Sequence, residues 1–178
     1  AIASLAGFGS VVVVSLTPEE YWSLLLPSFD PNAKTIDPSA PDCSGRLSLQ
    51  SLSPAGTRSL HVDPERVALA PGADGLKIVW LASHPLAEGG FDGLLALIRQ
   101  REGYLEVYAV GRHRGRPEGT RFTLQRMGPL LVVDGIQEDC TGDGQERRCR
   151  ASVSVYLMAT GALEASATYP IEQAATAT

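Results

Sequence analysis

Arg121-Phe122-Thr123-Leu124-Gln125-Arg126 sets two apolar side chains against four polar ones at period two. Strand side chains alternate between faces, so Phe122 and Leu124 share a buried side while the polar residues meet water. The same pattern recurs on either side of this stretch. Val153, Val155 and Leu157 alternate with Ser152, Ser154 and Tyr156, and Leu105, Val107 and Ala109 alternate with Tyr104, Glu106 and Tyr108. Arg101-Glu102-Gly103, Gly128-Pro129 and Thr160-Gly161 punctuate these runs with residues that tolerate positive φ or cannot extend a ladder, and they read as hairpin connections. From Gly75 to Ala167 hardly any helical period intervenes. The pattern predicts an all-β fold, an antiparallel meander forming a sandwich or an up-and-down barrel, with one short N-terminal helix.

That helix is announced just before the β region. Thr17 is placed as N-cap, Pro18 at the first helical position and Glu20 at the third, which completes a capping box. Leu16 and Tyr21 form the hydrophobic staple. Tyr21, Trp22, Leu25 and Leu26 give the helix a broad apolar face, and Pro27 stops it near Leu26. A plug or lid on the sheet is the expected role.

With 178 residues and 44% hydrophobic composition, one β domain over residues 17–178 accounts for the chain, with a Pro-rich loop at 27–45. That loop carries four prolines and reads as a crossover tied down by Phe29 and Ile36, or as a recognition loop. Further on, Arg46–Leu52 and Arg58–Val62 are expected to form a hairpin around Ser53-Pro54-Ala55-Gly56. Residues 1–16 hold no charge and end in the β-branched cluster Val11–Val14, so they read as a strand or a partner-docking arm; a signal remnant or membrane proximity is the other reading.

A net charge of −5 disfavours a generic nucleic-acid binder. The charge is unevenly spread. Eight acidic residues face four basic ones between Thr17 and Gly75, whereas seven arginines face three glutamates between Arg99 and Arg126. The basic cluster Arg112-His113-Arg114-Gly115-Arg116 follows a strand ending at Val110, which places it at a hairpin end. Arginine forks there suit an anion or an acidic partner surface, and solubilising charge on an edge strand is the plainer reading.

Three cysteines bear on compartment. Cys140 and Cys149 bracket a polar, Gly-rich excursion, and a disulfide between them would close a small loop and imply an oxidising compartment. The spacing is too long for a zinc knuckle, and no nearby His completes a zinc site. Cys43 is left over, as an alternative partner, a buried thiol or an intermolecular link. The same excursion offers oxygen ligands for calcium, Asp139 and Asp143 foremost, although their order is not that of an EF-hand and a solvated acidic tip is the ordinary reading. Calcium apart, no cofactor is expected.

The histidines are His61, His84 and His113. No Gly-x-Ser-x-Gly elbow, His-Glu-x-x-His helix or P-loop accompanies them. Ser83 beside His84 does not read as a dyad, because neighbours on a regular strand point to opposite faces. The reading that follows is a non-catalytic extracytoplasmic domain of the bacterial type, periplasmic, envelope-associated or secreted. It would act through contacts with a protein partner or with copies of itself, as a subunit of an assembly. A small-ligand-binding barrel is the alternative, similar to lipocalins in architecture only because the Gly-x-Trp of their first strand is missing, with Phe122, Leu124, Val155 and Leu157 lining its cavity. A hydrolase, in which one histidine meets an acid and a nucleophile in a cleft, comes third.

Overall fold

The computed structural model describes the backbone of residues 15–71, 75–101, 104–127, 130–141, 148–159 and 165–177, and side chains within 15–125. Among these residues one α-helix, α1 (Pro18–Leu25), precedes ten strands: β1 (Thr35–Ile36), β2 (Leu60–His61), β3 (Val67–Pro71), β4 (Leu76–Pro85), β5 (Phe91–Arg101), β6 (Tyr104–Gly115), β7 (Thr120–Met127), β8 (Leu130–Thr141), β9 (Arg148–Ala159) and β10 (Ala165–Ala177). All pairings are antiparallel. Strands β3-β4-β5-β6 form one four-stranded meander, β7-β8-β9-β10 form a second, and β1-β2 make a small ribbon. β7 runs near β3 and β10 near β6, yet among the described residues no ladder joins the two meanders. The sheets are therefore open, and the barrel alternative is excluded: neither meander has its first strand bonded to its last.

The first sheet is covered on both faces, which explains the almost unbroken apolar run of β4. Val79, Leu81, Leu94, Ala96, Ile98 and Val110 face α1 and the loops around it, where Tyr21, Trp22, Leu25, Phe29, Ile36, Leu49 and Val62 complete one core. Ile78, Trp80, Ala82, Leu95, Leu97 and Ala109 face the other way and pack with Phe122, with Leu124 at its margin. β7 thus covers the sheet through the two residues whose alternation marked it as a strand.

The start of α1 follows from its sequence. Glu20 N–H donates to Thr17 Oγ1 at 3.3 Å and Thr17 N–H to Glu20 Oε2 at 2.6 Å, a full capping box. Leu16 packs on the same core, as a staple should. Trp22 is fully buried and its indole N–H donates to the Pro64 carbonyl at 2.9 Å, which fastens the helix to the segment entering β3. The Pro-rich loop takes the crossover form, held by buried Phe29 and Ile36. It is also held by Asp42, whose Oδ1 accepts from the Arg46 and Leu47 amides and whose Oδ2 accepts from the Ser44 amide and hydroxyl. Burial pushes the Asp42 carboxyl up, and these donors outweigh it and hold the group below its ordinary value.

Two local expectations are corrected. Segments 46–52 and 58–62 do not form a hairpin. Gln50–Leu52 is a 3-10 turn, and β2 pairs instead with β1, Thr35 opposite His61 and Ile36 opposite Leu60. In β6 the period-two pattern breaks at Tyr108, because Leu97 pairs with Ala109 while Ile98 pairs with Val107. This bulge turns Leu105 and Val107 toward the helix side and Ala109 toward β7.

Candidate functional site

A second bulge builds the site. In the β4–β5 ladder Ala82 pairs with Gly93 and His84 with Asp92, leaving Ser83 as the extra residue. Gly93 makes this arrangement feasible: a Cβ built there would stand 1.8 Å from the Leu81 carbonyl oxygen and 3.1 Å from the Ser83 nitrogen. Regular alternation would have sent His84 to the β7 side along with Ile78, Trp80 and Ala82. The inserted residue reverses the phase, and His84 faces the α1 side with Asp92. The argument that Ser83 and His84 must point apart is therefore overturned by the bulge.

His84 is buried at 4% exposure and has a serine on each ring nitrogen. Ser53 Oγ lies 2.7 Å from Nε2 and Ser83 Oγ 2.7 Å from Nδ1. Ser83 also donates to the Asp92 carbonyl at 3.3 Å. A carbonyl only accepts, so in the tautomer that satisfies both contacts the Ser83 hydroxyl donates to it and Ser83 Oγ accepts from His84 Nδ1–H. Nε2 then carries the lone pair and accepts from the Ser53 hydroxyl. Burial draws the imidazole below its usual value; the Asp92 charge opposes that and the Arg112 charge adds to it, so the ring is neutral at pH 7.

Arg112 and Arg114 project from β6 on this same face, opposite Leu94 and Asp92. The Asp92 carboxylate, 4% exposed, accepts from Arg112 Nη2 at 2.9 Å and lies 3.6 Å from Arg114 Nη2. Arg112 Nη1 donates to the exposed Ser51 hydroxyl at 3.1 Å. Ser51 and Ser53, two residues apart, thus reach Arg112 and His84 respectively, and Arg112 is in turn paired with the buried Asp92.

The expected basic cluster is accordingly divided. Arg112, His113 and Arg114 lie within β6, which runs to Gly115 rather than ending at Val110, and Arg116 follows it. His113 takes the opposite face, 2% exposed, with its ring 4.9 Å from both Trp80 and Phe122, and the Trp80 indole N–H donates to its carbonyl. Burial lowers the His113 pKa to about 4 against the opposing charge of Asp92. Arg116 is exposed beside Gly89. The four residues do not form one continuous patch.

Cys140 and Cys149 are direct Cα partners in the β8–β9 ladder, and Asp139 pairs with Arg150. The side chains of Cys140, Cys149 and Asp139, and the whole of Asp143, lie outside the described residues, as do residues 1–14 and the side chains of Val155 and Leu157. Cys43 is an exposed residue with a free thiol, which partial desolvation and then the neighbouring Asp42 charge raise above its ordinary value. Among the described residues no group of three His, Cys, Asp or Glu side chains is placed to hold a metal, and no helix is long and apolar enough to cross a membrane. No family model, curated protein or solved structure matches the chain. The residue that sequence reasoning missed is Ser53, which was read as part of a turn; its partner lies 31 positions away.

Proposed function

We propose that the protein is an extracytoplasmic β domain that acts through protein–protein contacts, as a subunit of an envelope or extracellular assembly. The β8–β9 register carries this reading, since it sets Cys140 directly opposite Cys149. Antiparallel partners stand roughly 4.5–5.5 Å apart at Cα, within the span a disulfide bridges. A bridge there would add about 2–3 kcal/mol by closing the loop between them and would place the protein in an oxidising compartment. Contact rather than small-molecule capture is supported by the packing of Trp80 and His113 of the first sheet against Phe122 of β7, which takes up space a ligand between them would need. Exposed Leu69 on edge strand β3 and exposed Leu24 on α1 offer apolar contact points.

Removing residues 1–10 tests the reading. Loss of self-association or partner binding, with the circular dichroism of the β domain retained, supports it. Unchanged association in the shortened, folded protein counts against it.

A further inference from the structure

Beyond that contact role, we propose that Ser53 and His84 form a nucleophile–base pair that cleaves carboxylic esters by acyl transfer through Ser53. The hydrogen-bond chain sets the direction of proton flow. In the tautomer where Ser83 donates a hydrogen bond to the Asp92 carbonyl and accepts one from His84 Nδ1–H, the lone pair of Nε2 faces Ser53 at 2.7 Å. The base is buried and held from both sides, while Ser53 is half-buried on a loop whose neighbours Ser51 and Pro54 are exposed. A buried base against a half-buried serine hydroxyl is the nucleophile–base contact with which acyl transfer begins. Ser83 acts as a positioning residue. The charged groups facing the imidazole are Asp92 from β5 and Arg112 from β6, paired to each other at 2.9 Å, with Arg114 of β6 also on Asp92.

In the reaction Ser53 Oγ attacks the ester carbonyl carbon as its proton passes to Nε2. Negative charge gathers on the carbonyl oxygen, and Arg112, held on Ser51 two residues from the nucleophile, is the cation placed to meet it. Collapse breaks the bond to the alcohol oxygen, which leaves with the proton from Nε2 and yields an acyl-Ser53 ester. Water then attacks that ester, gives a proton to Nε2, and the carboxylic acid departs as the proton returns to Ser53 Oγ. No metal or redox partner enters the balance.

The test is treatment of the folded full chain with diisopropyl fluorophosphate, followed by intact mass and peptide mapping, alongside hydrolysis of 4-nitrophenyl acetate. The pair predicts a single phosphoryl adduct on Ser53. It also predicts ester turnover that is lost in Ser53→Ala and falls by about 10²-fold or more in His84→Gln. The wild-type protein alone suffices to overturn the proposal, should it remain unlabelled while natively folded. Labelling of Ser53 at an equal rate in a folded His84→Gln protein would also overturn it, by showing that the imidazole is not the base. Neither result depends on the oligomeric state, so failure here is distinguishable from failure of the contact role.

Discussion

Gly93 decides more of this molecule than its size suggests. With a Leu81 carbonyl 1.8 Å from where a Cβ would stand, any side chain has to push β4 and β5 apart or undo the bulge. Gly93→Ala is expected to lower stability by about 3 kcal/mol or more, read from urea unfolding, and to release His84 from Ser53. His113 makes the protein sensitive to acid in a defined window. The unfolded chain binds the His113 proton near the ordinary value of 6.5, whereas the folded protein resists it until about 4. Between these values the unfolded state holds more protons, so stability is complete above 6.5 and declines as the pH falls toward 4. The loss amounts to roughly 3 kcal/mol, and His84, shifted in the same direction, adds to it. Urea midpoints at pH 7 and 4.5 check this, with a flatter dependence expected in His113→Leu. The adjacent Ser83 and His84 were legible as residues but not as a cluster. Their common engagement depends on a glycine in the partner strand and a serine in a distant loop, neither of which period-two reading along one strand can register.

At the scale of elements, the signals that were local were readable. Thr17, Pro18 and Glu20 fix the start of α1 by bonds spanning three residues, and Leu16 and Tyr21 lie where a staple demands. Thr17→Ala should cost about 1 kcal/mol, measurable as a lowered urea midpoint with unchanged slope. The loop at 27–45 is held by a carboxylate that uses both oxygens. Asp42→Asn leaves one acceptor oxygen for four donors, and a loss of about 1–3 kcal/mol is expected in the same assay. Where pairing was non-local, the sequence misled. Residues 58–62 sit close to 46–52 along the chain and suggested a hairpin, but β2 finds its partner in β1, on the far side of the Asp42 turn. In β6 the alternation of Leu105, Val107 and Ala109 was real along the sequence and false in space, because Tyr108 is an inserted residue that only the register with β5 exposes.

At the scale of the whole molecule, two antiparallel meanders lie together with β7 near β3 and β10 near β6, and the helix with its loops caps the outer face of the first. The strand class and the inward direction of Phe122 and Leu124 were open to sequence reading, since burial imposes them residue by residue. Closure was not. Whether a meander closes on itself depends on shear and on the bonding of first to last strand, which composition and periodicity do not encode. The proposal of a protein that works at its surface in an oxidising compartment rests on the open sheets, the packing of Phe122 against Trp80 and His113, and the opposed positions of Cys140 and Cys149. The most direct test of that account is the native mass, by light scattering, of the particle recovered through a C-terminal tag from the cells that make it. The account predicts a particle of at least twice the chain's 18.9 kDa, held by copies or by a partner. A monodisperse species at 18.9 kDa, with nothing bound, would contradict it.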